Sequence, residues 1–172
     1  MYNDQPTNAN SLSSRAHMKG FLAMDAEQGF WMIHSVPLFP DTPAQFEKNG
    51  FEAPDNANVY AQSFLCVTLR TATFETVAQA LLIAWPQIYD SKISTALETT
   101  LPSLASVIAN NKTRGPQAQT FEIATVGGKK FTLFVKNREW QNELYGQLVA
   151  PFYGDGLWTQ TWQNGIGKLG SI

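Results

Sequence analysis

Apolar and polar residues follow a two-residue period along 18–25 (MKGFLAMD) and 30–36 (FWMIHSV), and the stretch Ala26-Glu27-Gln28-Gly29 lies between them. That pattern predicts two strands joined as a hairpin. The apolar run 61–69 (AQSFLCVTL) reads as a buried strand. The period then changes. Phe74, Val77, Ala78, Leu81, Leu82 and Trp85 recur at helical spacing and form one apolar face. Thr73 is placed to cap this helix and Pro86 to stop it. A second helix is predicted over 91–101, ended by Pro102, with a further turn or two at 103–109. Residues 119–126 and 129–136 predict another hairpin about the two-residue turn Gly127-Gly128. A short helix near 139–148 and a strand at 157–163 (LWTQTWQ) follow. Residues 1–15 are polar and read as an entering loop, while Pro37, Pro40, Pro43 and Pro54 mark a long loop of ~20 residues.

Strands and helices alternate irregularly, so the predicted class is α/β, bordering α+β, with a mixed β-sheet and flanking helices. There is no repeat or interdomain linker, and 172 residues suit a single domain spanning 1–172. Eleven Phe, five Trp and five Tyr argue for a packed core over disorder. No apolar run approaches the ~20 residues of a membrane span, so no membrane partner is expected. The formal charge of −2 is not the basic footprint of a neutral-pH nucleic-acid binder. Below pH ~6 histidines charge and acidic groups begin to neutralise, so DNA binding is permitted mainly in an acidic compartment. The N-terminal MYNDQPTNANSLSS lacks a cationic-then-apolar signal pattern. Cys66 stands alone and reads first as a buried strand thiol. Asn111-Lys112-Thr113 satisfies the N-glycosylation sequon, a weak signal because such triplets recur by chance.

The chemistry concentrates on the first hairpin. His17 and His34 are the chain's two histidines, and Lys19 follows the first by two residues. With the turn centred between Glu27 and Gln28, Lys19 faces Val36, Phe21 faces His34, and Asp25 faces Phe30. His17, Lys19, Phe21 and His34 then project from one face, with Lys19 and His34 as diagonal neighbours. Met18, Leu22, Met24, Trp31 and Ile33 fall on the opposite, core face. A one-residue slip would separate Lys19 from His34. Two imidazoles and an ammonium suit phosphodiester cleavage without a metal. One imidazole attacks or acts as base, the other protonates the leaving oxygen, and Lys19 neutralises the phosphate oxygens. Opposite protonation states for the two would favour mildly acidic pH. A metal site has weaker support, because no His and acidic residues cluster at ligand spacing. A lone strand histidine is more often a hydrogen-bonded structural group than a catalyst, so both readings of His34 stay open. Asp25 reads as a turn-initiating residue before it reads as a catalytic partner.

Read as a whole, the segment GFWMIHSVPLFP resembles the deoxyribonuclease II family, acid endonucleases related to the phospholipase D superfamily. The upstream YNDQP and AHMKG, the downstream YAQSFLCVTL and WPQIYDSKI, FVKNREWQNELYGQLVAP and the LWTQTW stretch carry the resemblance across residues 2–169. It implies one half of a phospholipase D-like fold. It also implies a metal-independent nuclease, needing no cofactor, that cuts DNA at acidic pH to 3′-phosphate ends through a phosphohistidine. His17 and Lys19 match the family's first half-site, and Asp25 its following acidic position. His34 and Ser35 match the HSVP segment, which would shape or protonate the site and, with Lys19, hold substrate.

The family's second half-site, an Asp-His-Ser-Lys-Trp-like motif, has no match here, because the chain holds no third histidine. Its N-terminal portion has no match either. By resemblance, Cys66 would bridge to that portion. The expectation is therefore a central part of the enzyme, lysosomal or secreted, active in a longer chain or through a homodimer that brings two His17-Lys19 sets together. The alternative is an inactive, shortened paralogue or fragment that retains DNA or phosphate binding.

Overall fold

The computed structural model describes residues 1–159. Helices and sheets combine as expected for an α/β or α+β chain. Every strand pair among the described residues is antiparallel. A four-stranded sheet has the order β1 (Tyr2–Asn3), β2 (Lys19–Met24), β3 (Gln28–His34) and β4 (Phe64–Arg70). The helix α1 (Pro43–Asn49) lies in the β3–β4 connection. After β4 come α2 (Thr73–Ala84), α3 (Thr95–Thr100) and α4 (Pro102–Ile108), then the hairpin of β5 (Ala118–Ala124) and β6 (Lys130–Lys136). The core joins one sheet face to the helices, through Trp31, Val67 and Leu69 on the sheet and Phe74, Val77, Ala78, Leu81, Leu104 and Val107 on α2 and α4.

The first hairpin forms, with a register moved by two residues from the expected one. Asp25 Oδ1 accepts the N–H groups of Glu27 and Gln28 at 2.8 and 2.9 Å, and Asp25 N–H donates to Gln28 O at 2.9 Å. The turn therefore closes on Ala26-Glu27, and Lys19 lies directly opposite His34. A shift of two preserves side-chain parity, so the expected faces survive: Leu22, Met24 and Ile33 pack on the core side with Trp31. The same two N–H bonds hold the Asp25 carboxyl below its usual range, which fits the turn role.

Tyr2–Asn3 is a strand where a loop was expected, because Tyr2 fills the space over side-chain-free Gly20 and its hydroxyl accepts from Trp31 Nε1 at 2.9 Å. The 61–69 run is an edge strand with only Val67 and Leu69 buried, and Cys66 is exposed rather than buried. Among the described residues its outer edge carries only the isolated bridge Leu69↔Thr125, with Val126 N–H donating to Thr68 O at 2.9 Å. Within the long loop, Thr42 and Gln45 form a reciprocal capping box that starts α1.

Thr73 lies inside α2 and caps nothing; Ala72 holds the cap position without a side-chain bond. Trp85 ends that helix in the left-handed region at φ 61°. The next helix starts later than 91, where the Ser94 hydroxyl accepts from Leu97 N at 3.3 Å. The second hairpin turns on three residues rather than two. Thr125 N–H bonds Lys129 O at 2.8 Å, and Gly128 takes φ 80°. The region near 139–148 splits into a 3₁₀ turn (Arg138–Trp140), a π turn (Tyr145–Val149) and α5 (Ala150–Tyr153). Residues 157–159 carry no strand, and the rest of the expected 157–163 strand lies outside the described residues.

Candidate active site

Three side chains meet where β1 runs beside the start of β2. Asp4 directly follows β1, which the two-residue ladder Tyr2↔Gly20 and Asn3↔Lys19 fixes against β2. Asn3 anchors the same corner from within the core. Its Nδ2 donates to Val36 O at 3.1 Å and Phe39 O at 2.8 Å, and its Oδ1 accepts from Gln5 N–H at 2.8 Å. Asp4 is thereby held with one carboxylate oxygen on each of two nitrogen partners. Oδ2 lies 2.5 Å from His17 Nδ1, and Oδ1 lies 2.5 Å from Lys19 Nζ.

Exposure separates the roles available to the three. The His17 side chain is 86% exposed, Asp4 is 14% exposed and Lys19 is 5% exposed. Lys19 is therefore a buried ammonium whose charge is compensated by Asp4. His17 presents its ring to solvent with one nitrogen engaged. An Nδ1–H donated to the carboxylate leaves the lone pair on Nε2, the arrangement a nucleophilic or basic imidazole needs.

His34 is a different kind of histidine. It is buried opposite Lys19 and ringed by Phe21, Phe39 and Phe64, with centroids at 6.3, 5.4 and 5.9 Å. Val36 N–H donates to its Nδ1 at 3.2 Å, so the neutral ring carries its proton on Nε2. Burial first, and the Lys19 ammonium second, lower its pKa to about 4. It is thus neutral in mildly acidic solution, beside the Lys19 ammonium. The unfolded chain binds this proton near 6.5, so stability from the neutral ring is complete above that pH and declines as pH falls toward 4. In an NMR titration the His34 ring protons should move with a midpoint near 4. A midpoint at 6 or above would contradict the packing described.

Ser35 is engaged elsewhere. Its hydroxyl donates to Gln62 Oε1 at 2.5 Å and accepts from Ser63 N–H at 2.9 Å. The structure therefore joins His17 with Lys19, sets His34 beside Lys19, and leaves Ser35 outside the charged cluster. Asp4 is the residue that sequence reasoning missed, although YNDQP had already marked its segment. Among the described residues, no group of three or more His, Cys, Asp or Glu could hold a metal ion. No described helix is long and apolar enough to cross a membrane.

Comparison with known proteins shows the family. A family model described as Deoxyribonuclease II matches residues 1–172. The chain is 36% identical to Plancitoxin-1 of Acanthaster planci over 174 residues, covering 99% of the chain and 48% of that protein. It is 35% identical to Deoxyribonuclease-2-alpha of Rattus norvegicus over 175 residues, covering 99% and 49%. With Deoxyribonuclease-2 of Caenorhabditis elegans the identity is 35% over 150 residues, covering 87% and 38%. The chain thus spans about half the length of the first two of these relatives, and less of the third.

Proposed function

Because the chain belongs to the deoxyribonuclease II family, we propose that it forms one His/Lys half of a metal-independent acid endonuclease acting on DNA. The observation that carries this reading is the Asp4 carboxylate bridging His17 Nδ1 and Lys19 Nζ. In the proposed reaction, His17 Nε2 attacks the phosphorus of a phosphodiester. An N–P bond forms and the P–O5′ bond breaks, releasing a 5′-hydroxyl end. Water then cleaves the N–P bond, leaving a 3′-phosphate and restoring the imidazole. Asp4 fixes the tautomer and balances the positive charge that develops on His17. Lys19 stabilises charge on the non-bridging oxygens.

The leaving oxygen needs a proton donor, and a ring with a pKa of about 4 is a poor one at pH ~5. We assign His34 to packing against Lys19 and the donor role to a second His/Lys set. A second copy of this chain or a longer polypeptide would provide that set. The working environment is then an acidic one, lysosomal or extracellular.

The test is nicking of supercoiled plasmid at about pH 5 in chelator, with native protein and His17→Ala compared. Nicking by the native protein to 3′-phosphate ends, lost by at least 10²-fold in His17→Ala, is the expected result. Retained nicking in the variant rejects the assignment. DNA binding without nicking in both proteins supports a binding remnant instead.

A further inference from the structure

Lys19 belongs to a row of residues that runs across the four-stranded sheet. The register pairs Asn3 with Lys19, Lys19 with His34, and His34 with Phe64. Directly paired residues project from the same face, so Phe64 stands on the face that carries Lys19 and His34. Neighbouring strands are ~4.8 Å apart, which puts the Phe64 backbone ~10 Å from that of Lys19. Contact along the row is continuous. Asp4 joins His17 to Lys19, Lys19 lies opposite His34, and the Phe64 ring stacks on the His34 ring with centroids 5.9 Å apart and planes at 24°.

Phe64 is nonetheless open to solvent, at 55% exposure. Because buried His34 covers one face of the ring, the exposed part lies on the side away from His34. Phe39 meets the same ring at 6.0 Å and 90°, and Phe51, 68% exposed, meets Phe39 at 6.5 Å and 87°. Phe39 is anchored to the corner that places Asp4, since its carbonyl accepts from Asn3 Nδ2 at 2.8 Å. A large apolar ring left half in water forgoes stabilisation by burial. Its plane is already set by a stacked imidazole and a perpendicular phenyl, so a flat partner can stack on it at little ordering cost. The row thus offers an ammonium for a phosphate and, two strands away, a flat ring for a base, with no carboxylate among its four residues.

We propose that Phe64 is a base-stacking residue: with a DNA phosphate at His17 and Lys19, an unpaired base of a flanking nucleotide stacks on the exposed side of its ring. The ~10 Å separation is about three charge spacings of a single strand at ~3.4 Å each, so the base lies within about three nucleotides of that phosphate. Phe64 positions the strand and does not touch the reacting atoms. This role rests on the reading of His17 and Lys19 as the phosphate site, so its test measures stacking apart from cleavage.

Binding of a fluorescent single-stranded oligonucleotide is measured by anisotropy at about pH 5 in chelator, in a His17→Ala background that removes turnover. An abasic oligonucleotide of the same length and charge is the second probe. Phe64→Ala and Phe64→Leu should each weaken binding of the first probe by about 5- to 10-fold and leave the abasic probe within about twofold of the parent. The slope of log K against log salt should not change, because no charge is lost. Phe64→Leu keeps an apolar cover on His34 while removing the flat ring, so a loss shared by both variants is a loss of stacking. Phe64→Trp should retain affinity, and its added indole emission should be quenched by the first probe and not by the abasic one. Equal loss on both probes, or loss on neither, overturns the assignment. Loss on neither together with a raised His34 titration midpoint would make Phe64 a cover for His34 alone. Loss on neither together with dissociation of a dimer in sedimentation would make it part of a protein interface. A parent that binds duplex but neither single strand rejects the stacking role and leaves the endonuclease reading standing, whereas a parent that binds no DNA rejects both.

Discussion

Asp4→Asn should lower acid cleavage of DNA by about 10²- to 10⁴-fold in kcat, with a much smaller change in KM. A carboxylate accepts from His17 Nδ1 and Lys19 Nζ at once, at 2.5 Å each. An amide has one acceptor oxygen. If that oxygen stays on Lys19, the NH₂ group faces His17 Nδ1 and forces the imidazole proton onto Nε2. The lone pair that should meet phosphorus is then gone. If the oxygen turns to His17 instead, a buried ammonium faces an NH₂ group. Either way the substitution also removes the charge that compensates Lys19, and breaking such a buried pair costs about 3–5 kcal/mol. The measurement is therefore made twice: plasmid nicking at pH ~5, and circular dichroism at the assay temperature to confirm that the variant is folded. A folded Asp4→Asn that nicks within a factor of three of native would remove Asp4 from the site.

The contrast between Asp4 and His34 shows what could be read before the fold was known. Lys19, Phe21 and His34 share a face because a strand has a period of two, and that period survives an error of two residues in register. The register itself was not readable. It depends on which two backbone N–H groups the Asp25 carboxylate captures, and the four-residue stretch at 26–29 offers more than one closure. Asp4 follows a strand of only two residues, too short to show alternation, and its partners lie 13 and 15 residues away. Its role exists only once Tyr2 has docked over Gly20. Cys66 was misread for a related reason. An apolar run fixes that a strand forms, whereas burial depends on whether a neighbour covers each face, and β4 is an edge. The helix α2 was legible nearly to the residue, since one apolar face and Pro86 define it locally. Its cap was not, because Thr73 falls one position inside the helix.

Gly20→Ala should strongly destabilise the fold. A Cβ there would lie 2.3 Å from Tyr2 Oη, 2.6 Å from Tyr2 Cζ and 2.5 Å from the backbone oxygen of Met32. Neither obstacle can retreat cheaply. Tyr2 is fully buried with its hydroxyl bonded to Trp31, and Met32 O belongs to the central strand β3. Overpacking a well-filled core costs about 1–3 kcal/mol, and backbone contact on one side puts this site at the upper end. For a chain of this size, 3 kcal/mol corresponds to a fall of roughly 6–12 °C in Tm. The change also reaches the site, because Asp4 is two residues beyond Tyr2 and is placed by the same short ladder. Cleavage should fall together with stability in Gly20→Ala, whereas Asp4→Asn, assayed where it is folded, should lose cleavage alone. Combining Gly20→Ala with Tyr2→Phe removes the closest contact and leaves those to the ring Cζ and to Met32 O, so it should recover only part of the lost Tm. Full recovery would mean that the hydroxyl alone opposes a side chain at position 20. A Gly20→Ala protein melting within 2 °C of native would mean that β1 does not pack over β2 as described, and with it would go the placement of Asp4 against His17 and Lys19.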